Sequence, residues 1–399
     1  MKVISINLGN MGSTGNIARN IKNIAKIHGI EVYTAYPRSS SALPFEDHDL
    51  YIGKELFTKI NRKSAYFTGY NGYFSPIATL QFIEKVKKIS PDIIHLHNLH
   101  NSYCNLPMLF KYVKESQSKV VWTLHDCWAF TGQCPYFTMA KCERWKTGCH
   151  DCSQYHLYPE AKIDRTALMW KKKKEWFTGI DNLHIVTPSQ WLSDLVKQSY
   201  LNKYDVRVIY NGIDTDVFRP VASNFKSENN INDKKIILGV AFGWGERKGY
   251  DIFLKLAEDL PDEYKIVLVG NIGTLPRNDK ILYINMTHDQ QKLAELYSCS
   301  NVFANPTREE VFGLVNAEAL ACDTPVVTFK TGGCPEIIDS TCGYTVDVDD
   351  YDGFKQALFE CVVKQPFSEN DCVKRAQIFT VDNMVSNYIE LYTSIYETS

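Results

Sequence analysis

Through the first 124 residues, short apolar runs alternate with longer stretches whose apolar residues return every three or four positions. The runs at 2–8, 31–36, 92–97 and 119–124 are rich in β-branched and aromatic residues and predict strands. The periodic stretches at 16–28, 77–89 and 106–116 predict helices, the first ended by Gly29. Strands separated by helices in this way belong to a parallel sheet covered on both faces. Residues 222–235 are rich in Ser, Asn, Asp and Lys, have no apolar period and read as a linker. A second alternation follows, with strands predicted at 236–240, 264–269, 282–284, 302–304 and 325–329. Two doubly wound α/β domains are therefore expected, and 399 residues suit two domains better than one core. In the last predicted helix, Met384, Tyr388, Leu391 and Tyr392 share one face.

Composition narrows the partners. With 44 basic against 46 acidic side chains there is no overall field to gather nucleic acid. No apolar run is long enough to span a bilayer and Met1 leads straight into a predicted strand, so a cytoplasmic protein is expected. Twelve cysteines without a secretion signal then argue for thiols or metal ligands over a disulfide framework.

The densest candidate chemistry lies at 310–318, where Glu310 and Glu318 bracket a glycine-containing helix start. Amides at Phe312, Gly313 and Leu314 would lie where unpaired N–H groups and the helix dipole favour a diphosphate. The two carboxylates would hold hydroxyls of a nucleotide ribose and of a sugar. Upstream, the loop at 243–249 contributes Arg247 and Lys248, and the turn at 9–16 contributes Gly12 and Gly15 without the Gly-x-Gly-x-x-Gly spacing of dinucleotide sites. His97 and His100 follow one strand, and His125 and Asp126 follow another, at the ends where open parallel sheets meet ligands; for Asp126 the alternatives are proton acceptor and local cap.

Glu310-x7-Glu318, the upstream Asn211-Gly212-Ile213-Asp214 and Lys248-Gly249, in this order along nearly the whole chain, resemble the retaining glycosyltransferases of family 4. The resemblance implies a GT-B fold, two Rossmann-like domains facing across a cleft. The acceptor-side domain would span 1–212, the nucleotide-sugar domain 213–379, and a helix at 380–399 would cross back to the first. It implies catalytic roles for His125 and Glu310, and donor contacts from Gly12, Gly15, Arg247, Lys248, Phe312, Gly313, Leu314 and Glu318. His97, His100 and Asp126 would face the acceptor. The arginine usual in the family five or six positions before the lysine is replaced here by Phe242 and Gly243. Two Asp-x-Asp matches, at 214–216 and 347–349, fall in a turn and before a helix, so no catalytic metal is expected.

The expected reaction moves a hexose-type sugar from a nucleotide diphosphate, UDP ahead of GDP, to a lipid-linked saccharide of a bacterial surface polysaccharide. The alternatives are a sugar-nucleotide epimerase, a phosphorylase or a non-catalytic binding module.

A cysteine-rich insert at 127–152 follows His125, within a His-Asp-Cys-Trp-Ala-Phe-Thr-Gly stretch that resembles colanic-acid and O-antigen transferases. Its Cys134, Cys142, Cys149 and Cys152 are candidate ligands of a structural zinc, the alternative being reduced core thiols. The mixed basic and aromatic stretch at 170–177 has two readings: a solvated helix face with aromatics turned inward, or a patch resting on anionic lipid at the inner membrane face.

Overall fold

The computed structural model describes residues 1–287, 289–368 and 370–398. Its contacts divide the chain into two units, Met1–Tyr210 with Met384–Ser399, and Asn211–Asn383. In the first unit the strands are β1 (Lys2–Ile6), β2 (Glu31–Tyr36), β3 (Asp49–Tyr51), β4 (Ile93–Leu96), β5 (Lys119–Thr123), β6 (Leu183–Thr187) and β7 (Asp205–Val208). They form one parallel sheet ordered β3-β2-β1-β4-β5-β6-β7. All of β4 is buried, as are the last four residues of β1 and of β5, which is why these strands read as unbroken apolar runs and not as alternations. Within Met1–Tyr210 the helices are α1 (Gly12–Ile27), α2 (Glu55–Thr68), α3 (Pro76–Ile89), α4 (Leu106–Glu115), α5 (Thr166–Phe177) and α6 (Gln190–Lys197).

The second unit repeats the plan with β8 (Lys235–Gly243), β9 (Tyr264–Asn271), β10 (Ile281–Ile284), β11 (Val302–Asn305), β12 (Val326–Phe329) and β13 (Gly343–Val346) in the order β10-β9-β8-β11-β12-β13. Its helices include α7 (Phe225–Glu228), α8 (Tyr250–Asp259), α9 (Gln290–Ser298) and α10 (Leu314–Ala321). In each sheet the strand order reverses beside the first strand, between β1 and β4 and between β8 and β11. A crevice opens there at the carboxyl ends of the strands.

Two expectations need correction. The stretch 222–235 is not the junction: it lies inside the second unit and carries α7, a polar turn closed by its own hydrogen bonds, Asn229 Nδ2 to the Phe225 carbonyl and Lys226 Nζ to that of Lys234. The first helix begins at Gly12 and not near 16, so Gly12 and Gly15 form its first turn and not a loop before it. Gly15 is packed so closely that a Cβ would sit 2.6 Å from the Asn10 carbonyl carbon.

The C-terminal helix Val381–Glu397 buries Met384, Tyr388, Leu391 and Tyr392, the face its period predicted. Between β5 and α5, residues 124–165 hold only two three-residue turns, Trp128–Phe130 and Arg144–Lys146, wrapped around Phe130, Phe137 and Trp145.

Candidate functional site

In the second unit, the loop after β8 and the loop after β11 meet. Lys248 Nζ lies 2.6 Å from Glu310 Oε2, with side-chain exposures of 17% and 20%, and the Val311 N–H donates to Glu310 Oε1 at 3.1 Å. Burial by itself would raise the Glu310 pKa, but the charge and hydrogen bond of Lys248, with Arg247 nearby, hold it below the ordinary carboxylate value. This packing requires glycine at position 332. Its φ is +53°, and a Cβ there would fall 1.5 Å from the Glu310 carbonyl oxygen. Gly313, at φ +94°, caps α10 and stands close to Glu310, a Cβ there lying 3.4 Å from Glu310 Cγ.

Glu318 lies on α10 with a different partner: the Tyr297 hydroxyl donates to its Oε2 at 3.0 Å. Burial raises its pKa to about 7, so near neutral pH this carboxyl is partly protonated while Glu310 is ionised. Arg247 Nη1 donates to the Glu309 carbonyl at 3.3 Å, which places a second cation beside the Lys248–Glu310 pair. Arg308, which the sequence did not single out, is committed elsewhere. It makes two bonds of 2.7 Å to Asp251 and one of 2.7 Å to Asp349, tying the Glu310 loop to α8 and to the turn before the helix Tyr351–Phe359. Asp214 accepts from the Asp216 N–H, while in the second Asp-x-Asp match Asp347 pairs with Lys330 and Asp349 with Arg308.

In the first unit, the histidines gather at the ends of β4 and β5. His97 Nδ1 lies 3.0 Å from His125 Nε2, and the two rings stack. Burial pushes the His125 pKa down to about 4 and that of His97 well below its usual value, so both rings are neutral at physiological pH. One ring therefore donates to the other, and His97 Nε2 is left buried without a hydrogen-bond partner. His95 lies deeper, between Tyr392 (2.6 Å) and Thr123 (2.8 Å), as a core residue. Asp126 Oδ1 accepts from the Trp128 N–H at 2.8 Å, the capping role weighed for it, while its Oδ2 lies 3.4 Å from His100 Nε2. Tyr158 and Asn101 complete this cluster: the Tyr158 hydroxyl lies 3.0 Å from His100 Nδ1 and accepts from Asn101 Nδ2 at 2.8 Å. Tyr158 also lines a cavity of about 380 Å³ together with Arg62, Lys63, Tyr66 and Asn101. No motif announces Tyr158, because it reaches His100 only through the fold.

Cys134, Cys142, Cys149 and Cys152 all line one cavity of about 250 Å³ in the insert, and all four are free thiols. The Gly132 N–H donates to Cys149 Sγ at 3.1 Å. The donor set is one that soft divalent metals accept. Among the described residues, however, no three Cys, His, Asp or Glu side chains are already gathered as a metal-holding group. Beneath the insert Lys173 is buried, donating to the Thr131 carbonyl at 2.9 Å and to that of Trp128, its ammonium 3.6 Å from the Trp128 ring centre. Trp170, Trp176 and Phe177 are buried as well, so the stretch at 170–177 turns its aromatics inward.

The profile of Glycosyltransferase Family 4 matches residues 16–217, and that of glycosyl transferases group 1 matches residues 234–363. The chain is 23% identical over 321 residues to the putative colanic acid biosynthesis glycosyl transferase WcaC of Escherichia coli (strain K12), covering 76% of this chain and 77% of that one. It superposes on sucrose-phosphate synthase from Thermosynechococcus elongatus with a TM-score of 0.75 at 18% identity, over 100% of both chains. On HepE of Anabaena in complex with UDP-glucose the TM-score is 0.66 at 14% identity, over 99% of this chain and 100% of HepE. At these identities the solved structures establish the fold, which is GT-B.

Proposed function

Because the chain belongs to Glycosyltransferase Family 4, we propose that it moves a hexose-type sugar from a nucleotide diphosphate, UDP ahead of GDP, to a lipid-linked saccharide of a bacterial surface polysaccharide, with retention at the anomeric carbon. The reaction would take place at the cytoplasmic face of the membrane. The observation that carries this reading is the Lys248–Glu310 pair held beside the start of α10 by Gly313 and Gly332. Relatives support the pathway and the donor: WcaC is named for colanic acid biosynthesis, and HepE was solved with UDP-glucose.

Breaking the bond from the anomeric carbon to the diphosphate leaves negative charge on the leaving group and positive character on the sugar ring. Lys248, Arg247 and the amides at the start of α10 are the groups suited to the first charge. The ionised Glu310 is suited to accepting sugar hydroxyls, and Glu318, half-protonated near neutrality, to exchanging hydrogen bonds with ribose hydroxyls. Neutral His125 offers a ring nitrogen to the sugar or the acceptor without adding a charge. Departure and attack would share one face of the sugar, which requires no enzyme nucleophile. The reading assigns no catalytic metal, and it assigns the four-cysteine cavity to a structural zinc.

The test is nucleotide release from UDP-, GDP- and dTDP-sugars, with EDTA present and a membrane lipid extract as acceptor. Acceptor-stimulated release from one donor is expected, reduced at least about 100-fold in Glu310→Ala, the scale of losing one preorganised electrostatic group. Nucleotide binding without release from any donor would instead favour a non-catalytic binding module.

A further inference from the structure

Helix α2 is inside out. Of its fourteen residues only Ala65 is buried. Its large apolar side chains face solvent instead: Leu56 is 65% exposed, Phe57 56%, Ile60 48% and Phe67 53%. Leu56, Ile60 and Phe67 are spaced by four and seven, so they form one stripe along the helix. On α3, Ile77 and Leu80 are exposed as well. The two helices are joined there by a bond from Asn61 Nδ2 to Ser75 Oγ. Isolated exposed apolar residues need no explanation, but four on one helix, with two more on the helix that follows, are not isolated.

Basic side chains outnumber acidic ones around the patch, with Glu55 and Glu160 also lying there. Lys59, Arg62 and Lys63 are exposed on α2, and the only acid in that helix, Glu55, is paired with Lys59 at 2.7 Å. Lys162 adds a further ammonium, 4.9 Å over the Phe67 ring. Large apolar side chains beside a surplus of Lys and Arg complement an anionic lipid surface, where the apolar groups enter the acyl boundary and the bases meet the headgroups. Arg62 and Lys63 also line the cavity that Tyr158 connects to His100. A saccharide anchored in a bilayer under this face would have its phosphate beside two bases and its sugar end directed to the histidines.

We propose that the face formed by α2 and the first turns of α3 is a docking surface for a bilayer carrying anionic lipid. It deepens the lipid-linked acceptor reading by naming the surface that meets the membrane, and it moves that contact away from α5, whose aromatics are buried. The test is flotation of the full chain with vesicles of phosphatidylcholine alone and of phosphatidylcholine with phosphatidylglycerol, without nucleotide or turnover. Flotation with the anionic vesicles, weakening as salt rises, is expected. Phe57→Glu with Ile60→Glu should reduce the bound fraction about ten-fold or more, and Lys59→Ala with Lys63→Ala several-fold, while Lys171→Ala with Lys174→Ala should leave it unchanged. Circular dichroism melts of each variant verify that it is folded.

No flotation with either vesicle would overturn the proposal. So would light scattering that shows a dimer dissolved by Phe57→Glu with Ile60→Glu in a chain that ignores vesicles, since a second copy would then be the occupant. Because no turnover is needed, a chain that transfers sugar but does not float refutes the docking surface alone. A chain that floats without transferring sugar leaves the docking surface standing and refutes the enzyme reading.

Discussion

Removing the ammonium of Lys248 strands the Glu310 carboxylate in a site where its side chain is only 20% exposed. Breaking a largely buried pair from one side costs about 2–4 kcal/mol, because the remaining charge is neither solvated nor matched. Lys248→Ala should therefore destabilise the chain by that order and raise the Glu310 pKa. Adding Glu310→Gln to Lys248→Ala should restore part of the loss, since it removes the stranded charge. Urea unfolding of the two single variants and the double variant measures this coupling; strictly additive losses would show that the pair is not one unit. These two residues were legible in the sequence because each sits in a local motif. Arg308, Tyr297 and Tyr158 were not, since their partners Asp251, Glu318 and His100 lie 57, 21 and 58 residues away and only the fold brings them together.

Among elements, the apolar pattern predicted β1, β2, β4, β5 and β8–β12 and the helices α1, α3 and α4, but it missed the buried β6, the amphipathic α6 and the edge strands β7 and β13. It failed where burial and pattern part company. Strand β3 is three residues long, too short to show a period. Helix α2 has an apolar stripe that faces outward, so its period gives no guide to a core. The segment from 124 to 165 has almost no regular structure, although connections longer than about 15 residues without elements of their own are uncommon in compact units. Something must offset the entropy of ordering it, and its aromatic cluster is small. The structural zinc proposed for Cys134, Cys142, Cys149 and Cys152 would supply that constraint. Protein purified without chelator should carry one zinc per chain by elemental analysis. Cys149→Ser with Cys152→Ser should lose it and melt about 5–10 °C lower. Metal-free protein with four titratable thiols and an unchanged melting temperature would show instead that these are plain core cysteines.

Over the whole molecule, the two units bury titratable groups of opposite kind, and their stabilities should respond to pH in opposite directions. In the first unit, burial lowers the pKa of His95 to about 3 and of His125 to about 4, from an ordinary value near 6.5. The unfolded chain takes up these protons first as pH falls, so the stability contributed by the neutral rings is complete above pH 6.5 and is lost between there and about pH 3. In the second unit, burial raises Glu318 from its ordinary value near 4.5 to about 7. Here the folded chain holds the proton longer, so that contribution is complete below pH 4.5 and is lost as pH rises toward 7. Between pH 6.5 and 4.5, acidification should thus weaken the histidine-bearing unit while Glu318 strengthens its own. Hydrogen exchange read separately on β4–β5 and on β11 with α10 measures both trends in one sample. Protection in β4–β5 is expected to fall between pH 6.5 and 5, while protection around α10 rises. Glu318→Gln should abolish the second trend and leave the first intact, because the titrating groups lie in different units; parallel loss of protection in both would mean that the units unfold together and share one pH dependence.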